Sequence, residues 1–411
     1  MKNRKLTSLL IASTLVAGVA TAPSVSRAQS PEIMRFYSSF PLTGSSAAQT
    51  TSMVNAIKMA IEQKTKDGLI CNGKYKIDYV PLDDAIAATG KWDAAKEQEN
   101  ATKAVSDPDA MVYIGTFNSG AAKVAIPILN QANPGPLAMI SPANTYPGLT
   151  KGPEFGADKG EPDTYYPTGK RNYFRVVPAD DIQGVVAARW AKKLGARRVY
   201  ILDDTELYGR GVANMFEKEA KRIGLTVVGR DGIDGKAQDY AALANKIKAT
   251  RPNLIYYGGI TQNNAGQLLK DIRKAGIRAT FMGADGILEE AFIQAAGADV
   301  ANGVLATVGG TPRNRLPAAG RKFYTDYNKK FGSDPEAYAI YAYESASVAL
   351  DAVSKVCAKD RAAIVDAIAR TKNYKGVLGT WSFTETGDTT LTGMVGYRVE
   401  KGKWKEIGAL K

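Results

Sequence analysis

Short runs rich in β-branched and aromatic residues alternate along this chain with longer segments whose apolar residues recur every three or four positions. The first kind reads as buried strand and the second as amphipathic helix. The pattern predicts strand over Met34–Phe40, helix over Ser52–Lys64 and strand over Lys76–Pro81. Strand over Ala110–Gly115, helix over Gly120–Ala132 and strand over Leu137–Ser141 follow. Phe174–Val177 then opens a second series. Its helices fall over Gln183–Leu194, Val212–Ile223, Ala241–Ala249 and Ala265–Ala275, interleaved with strands Arg198–Leu202, Thr226–Gly229, Asn253–Gly258 and Ala279–Gly283. Strands separated by helices pair in parallel, in sheets covered on both faces. Two such series predict an α/β chain of two doubly wound lobes.

The N-terminus departs from this rhythm. Lys2, Arg4 and Lys5 precede an apolar stretch from Leu6 to Ala20 and a small-residue site at Ser26-Arg27-Ala28. These are the parts of a secretory signal peptide, and the apolar run falls short of the roughly 20 residues that span a bilayer. Cleavage is expected after Ala28 and not after Ala22, where Pro23 would follow the scissile bond. A lipid anchor would need a cysteine at the cut, and the cysteines are Cys71 and Cys357. The expected product is an exported, periplasmic protein that is soluble and is not a lipoprotein.

A chain of 411 residues with 45% hydrophobic content can bury a large core, and its length suits about two domains. Of the formal charge of +13, four positive charges lie in the export segment, and removing them leaves +9. Lys and Arg alternate with acids in helices such as 216–222. That is a solvated basic surface, so no nucleic-acid partner is expected. Histidine is absent from the whole sequence. The absence removes His-based acid–base catalysis, Ser-His-Asp and Cys-His nucleophiles, and every His-containing metal site. Two distant cysteines cannot build a Cys-rich zinc site. In an oxidising compartment they read as one disulfide or as two buried thiols. Neither a metal nor a cofactor is expected.

Parallel sheets carry their ligand groups in the loops after the strands' C-terminal ends. Met111–Thr116 runs into Phe117-Asn118-Ser119-Gly120 before an alanine-rich helix, which sets a hydroxyl and backbone N–H groups at a helix N-terminus. That arrangement suits a carboxylate or a phosphate, although Asn118 or Ser119 could be an ordinary cap of the helix. The next strand ends in Ser141-Pro142-Ala143-Asn144-Thr145. In the second series Leu202-Asp203-Asp204 leads to Tyr208-Gly209, Tyr256-Tyr257-Gly258-Gly259 to Ile260, and Phe281-Met282-Gly283 to Ala284-Asp285-Gly286. One lobe therefore offers hydroxyls and N–H groups and the other carboxylates and a tyrosine, a pairing that suits a zwitterion.

Enzyme motifs fail in the same loops. Gly209-Arg210-Gly211-Val212-Ala213-Asn214 lacks the third glycine of a dinucleotide fingerprint. No Walker A sequence occurs, and Ser119 lacks the GxSxG frame and any histidine to activate it. Asp203 and Asp204, at a strand end, read as turn and cap residues before they read as a metal seat. The chain is expected not to be an enzyme.

With these residues in place, nearly the whole mature chain resembles the branched-chain amino acid binding proteins, the Leu/Ile/Val-type periplasmic receptors of ABC importers. The matching blocks are Phe40–Gly44, Tyr79–Asp84, Tyr113–Gly115 with Ser119, Ile140–Thr145, Phe174–Gly184, Leu202–Gly211 and Asp239–Gly286, in order and at matching spacing. The resemblance implies a type I periplasmic binding fold with a three-segment hinge crossed near Ala179, Val308 and Thr392. Lobe 1 would comprise 29–179 with 309–392, and lobe 2 would comprise 180–308 with 393–411. Ser119, Ala143 and Thr145, with Asn144 between them, align with the seat for an α-carboxylate. Tyr208 and Asp285 align with second-lobe positions, the acid being the partner of the α-ammonium. The family often has glutamate there, and frequently an aromatic near Gln49 and after Gly259, where this chain has Ile260.

The resemblance also implies delivery of a small ligand, an amino acid or similar, by a monomer to ABC permease subunits after hinge closure. An extracellular sensor module is the alternative class, and an amide, urea or aromatic acid is the alternative ligand. Cys71 and Cys357 both fall in the first lobe under this layout, which predicts a disulfide between them. Lys151–Asn172, rich in Gly, Pro, Lys and Glu, reads as an inserted surface loop, with a lip over the cleft or a transporter contact as the other reading.

Overall fold

The computed structural model describes Met1 and residues 30–411, so the signal segment and the cut after Ala28 lie outside the described residues. Two sheets organise the chain. The first runs Leu69–Ile70, Tyr75–Asp83, Glu32–Phe40, Ala110–Gly115, Ala138–Ser141 and Tyr173–Arg175 from edge to edge, all parallel except for Leu69–Ile70. The second runs Thr226–Gly232, Arg198–Asp203, Leu254–Gly258, Thr280–Gly283 and Leu305–Gly309 in parallel, and closes with the antiparallel pair Met394–Glu400 and Lys403–Leu410.

The central strands are apolar on both sides because helices cover both faces. Ala110–Gly115 is buried at all six positions, as are Leu254–Gly258 and Leu305–Gly309. In each sheet the first parallel strand in sequence lies between the second and the third, so the strand order reverses there. Crevices for ligands open at such switch points, beyond the strands' carboxyl ends. The two switch points fall at Phe40 with Gly115 and at Asp203 with Gly258, and they face one another across the lobes.

Tyr173–Arg175 corrects one sequence reading. It pairs with Ala138–Ser141 and closes the first sheet at its edge, where the pattern had it opening the second series. The helix Asp180–Lys193 that follows packs on Leu207–Arg222 and begins the second lobe. The inserted stretch 151–172 is more than a surface loop. Glu161 and Tyr165 are buried in it, and Glu161 accepts the Tyr146 hydroxyl and the Asp158 N–H, both at 2.7 Å. It reaches the second lobe through Lys151–Asp181 at 2.9 Å and Lys218 Nζ to Glu154 O at 3.3 Å.

Cys71 and Cys357 form the expected disulfide, with Cα atoms 5.8 Å apart. The bond joins the end of the buried helix Ala339–Val356, which packs against Ala47–Lys64, to the turn after the strand Leu69–Ile70. It closes a loop of 286 residues, most of the chain, and so restricts the unfolded ensemble strongly. Replacing both cysteines with serine should cost about 2–4 kcal/mol in urea unfolding. An unchanged midpoint in the double variant would show that helix packing alone fixes this corner.

Candidate ligand-binding site

Between the lobes lies a cavity with about 360 Å³ of atom-free space. Phe117, Asn118, Ser119, Ala143 and Tyr338 face it from the first lobe, and Glu206, Tyr208, Ile260, Asp285 and Gly286 from the second. Four sequence-predicted residues therefore meet: Ser119, Ala143, Tyr208 and Asp285. Ser119 is the first residue of the helix Ser119–Asn130, and its Oγ accepts the Tyr146 N–H at 3.3 Å. Asn118 takes the cap position in extended conformation but makes no side-chain cap bond. The first-turn N–H groups of this helix have no intrahelical acceptors, which leaves a positive end beside the cavity.

The other two predicted residues do not line the cavity. Asn144 is fully buried and turned away, donating to Thr116 O at 2.9 Å and Phe117 O at 3.0 Å. It braces the loop that presents Ser119. Thr145 is buried, with its carbonyl accepting the Asp180 N–H at 2.8 Å.

Asp285 is 4% exposed and is, with Glu206, one of two acids on the cavity wall. Tyr208, in the first turn of Leu207–Arg222, donates its hydroxyl to Asp285 Oδ1 at 2.8 Å and accepts the Gly286 N–H at 3.0 Å. Tyr338 reaches the other carboxylate oxygen from the opposite lobe. Burial pushes the Asp285 carboxyl up, against these two phenols, which favour its charged form. Both phenols are pushed well up by burial and by the charge of Asp285, so they act as neutral donors.

Sequence reasoning missed Tyr338 and Glu206, each of which joins the lobes. Glu206 accepts Trp92 Nε1 at 3.0 Å from the first lobe and Asn263 Nδ2 at 2.9 Å from its own. Lys91, beside Trp92 on the same short hairpin, donates to Asn263 Oδ1 at 3.0 Å and Gly235 O at 3.2 Å. Ser46 Oγ donates to Glu289 at 3.0 Å, and burial pushes that acid up to about 8. The lobes are thus closed on one another. Trp92 lies over the start of the helix Ser119–Asn130 so closely that a Cβ at Gly120 would sit 2.6 Å from its ring. Only glycine admits the indole there.

Asp203 and Asp204 brace loops, as their strand-end position suggested. Asp203 pairs with Arg230 at 3.0 Å, and Asp204 accepts the Ile260 N–H at 3.0 Å and Asn263 Nδ2 at 2.9 Å. Among the described residues no group of three His, Cys, Asp or Glu side chains is placed to hold a metal ion. A larger cavity, about 590 Å³, lies near Pro178, Val308 and Gly393 and has no charged side chain on its walls. It cannot pair the charges of a zwitterion. No helix among the described residues is long and apolar enough to cross a membrane.

Comparison with known proteins agrees with this fold. Residues 39–403 match the family model described as periplasmic binding protein. The Leu/Ile/Val-binding protein homolog 2 of Brucella abortus is 31% identical over 368 residues, covering 88% of this chain and 89% of the relative. Among solved structures, a leucine-binding protein from Thermotoga maritima superposes with a TM-score of 0.79 at 24% identity, covering 92% of this chain and 99% of the other. A solute-binding protein from R. palustris, solved with benzoate, superposes with a TM-score of 0.74 at 17% identity, covering 92% and 96%. The relatives are binding proteins and not enzymes. With two parallel-sheet lobes closed on a cavity, the chain has the type I fold and belongs to the periplasmic binding protein family, in its Leu/Ile/Val-binding branch.

Proposed function

We propose that this chain is the exported receptor of an ABC importer that closes on an aliphatic L-amino acid and delivers it, as a monomer, to the membrane permease. One observation carries the ligand reading: Asp285, held by two neutral phenols, shares one cavity with the N-terminus of the helix Ser119–Asn130. The carboxylate is the seat for an α-ammonium. Ser119, Ala143 and the helix N–H groups are the seat for the α-carboxylate, with Thr145 close behind. Phe117 and Ile260 leave an apolar space for the side chain.

The division into lobes is part of the same reading: 29–179 with 309–392 against 180–308 with 393–411, hinged at three crossings. The strand content of the two sheets supports it. The bonds from Lys91, Trp92, Ser46 and Tyr338 to the second lobe support closure as the bound-like state. Export with cleavage after Ala28 and no lipid anchor completes the proposal.

A thermal-shift screen of the purified mature chain tests it, against L-leucine, L-isoleucine, L-valine, L-phenylalanine, their amides and benzoate. A ligand at about a hundredfold excess over Kd adds roughly 2.7 kcal/mol of stability. An aliphatic L-amino acid is expected to give the largest shift. Stabilisation by benzoate, with none by any amino acid, would reassign the chain to aromatic acids.

A further inference from the structure

Behind Asp285 lies a second buried acid. Asp180 opens the helix Asp180–Lys193, is 0% exposed, and neither carboxylate oxygen has a hydrogen-bond partner among the described residues. Thr145 and Tyr256 lie beside it and Gln183 lies beside Asp285. Thr145 Oγ1, Tyr256 OH and Gln183 Oε1 are likewise buried without partners among the described residues. Gln183 Nε2 donates to Thr307 O and Oγ1 at 3.0 and 3.1 Å.

The unpartnered donors of the cluster are the hydroxyls of Thr145 and Tyr256. Ionised Asp180 would be acceptor-only, as are Gln183 Oε1 and the carboxylate of Asp285. The charged groups facing Asp180 are Asp285, Asp181 and Arg175, and its other titratable neighbours are the phenols of Tyr208, Tyr256 and Tyr338. Arg175 is already committed: its guanidinium bonds Asp388, Thr150 and the carbonyls of Asn144 and Tyr146. A dry, unpaired carboxylate beside another acid takes up a proton. One proton on Asp180 adds a donor to the cluster and removes a like charge from beside Asp285. Burial, and then the charge of Asp285, push the group the same way, well above the ordinary carboxylate range.

We propose that Asp180 is the proton-holding partner of the ammonium seat: it carries a proton while no cation sits beside Asp285 and releases it when a ligand ammonium enters. The inference rests on the amino-acid reading above. The exchange balances: the Asp180 O–H bond breaks, its proton passes to buffer, the ammonium stays whole, and the new carboxylate offsets its charge. Asp180 is a positioning residue for that charge, one step behind the cavity wall.

Titration calorimetry of the mature chain with L-leucine, in two buffers of different ionisation enthalpy near neutral pH, counts the protons. About one proton should leave per L-leucine bound, and affinity should rise with pH by up to roughly tenfold per unit. Asp180→Asn, neutral and of the same size, should bind L-leucine with a proton count near zero. A purely structural Asp180 would alter affinity without altering the count. Difference infrared spectroscopy of the wild-type chain gives a readout that needs no variant: the carbonyl band of a protonated carboxyl should disappear on adding L-leucine. Binding of L-leucine with no proton released, or a count unchanged in Asp180→Asn, overturns the inference and leaves the amino-acid reading standing. Failure of every ammonium compound in the screen to bind removes both.

Discussion

Asp388→Asn is expected to destabilise the protein by about 3–5 kcal/mol, the usual consequence of stripping one partner from a buried ion pair. Arg175 is 0% exposed, and its Nε sits 2.5 Å from Asp388 Oδ1. Burial would raise the Asp388 carboxyl, but Arg175 and then Lys151 hold it below the ordinary range. Its contribution is therefore present at neutral pH and is lost as pH falls through that depressed value. The guanidinium also ties three stretches of chain together. It bonds Asn144 O at 3.2 Å and Tyr146 O at 2.7 Å, and it meets the Thr150 hydroxyl, which itself donates to Asp388 at 3.0 Å. The loop held in this way carries Ala143, so ligand affinity should fall along with stability. Urea unfolding of the variant measures the first effect. A loss under about 1 kcal/mol would mean that water reaches the pair and that it belongs to the surface class.

Much of the fold was legible because burial writes itself into the central strands. Ala110–Gly115 matched its predicted bounds, since all six residues are covered by helices on both faces and none is polar. Elements at the periphery were less visible. The helix Ala94–Ser106 has too few apolar positions for a clear stripe, yet Asp93 caps it by accepting from the Ala95 and Lys96 N–H groups, a signal the sequence did carry. The final hairpin turns on Lys401 and Gly402, both at positive φ, which is the turn chemistry of tight antiparallel connections.

The site divided along similar lines. Ser119, Ala143, Tyr208 and Asp285 follow strands directly, so topology alone brings them to the crevice. Asn144 shares that address but points the other way, and no spacing rule gives the direction of a loop side chain. Tyr338 lies 53 positions from Asp285, at the cap of the helix Ala339–Val356, where the chain has returned to the first lobe before its last hairpin completes the second sheet. Its role exists only when the lobes are closed.

That closed geometry makes Asp285→Asn the substitution with the largest expected effect on binding. Two acids line the cavity, and neither has an ion-pair partner among the described residues: Glu206 is held by the Trp92 indole and the Asn263 amide, whereas Asp285 accepts from the phenols of Tyr208 and Tyr338. An ammonium moved from water into this cavity needs a carboxylate to offset its lost hydration. Truncating one side of such a buried pair costs about 2–5 kcal/mol. At about 1.4 kcal/mol per tenfold, most of that range means a loss of affinity of roughly thirtyfold or more. The fold should survive, because asparagine keeps the size of the side chain and can still accept from Tyr208. Ser119→Ala should lose less, since the helix N–H groups beside it remain to hold the ligand carboxylate. Isothermal titration of both variants with the amino acid selected by the screen gives the comparison. Equal affinities for Asp285→Asn and the wild type would mean that no ammonium sits at this carboxylate, and the ligand would then be a neutral amide or a simple acid.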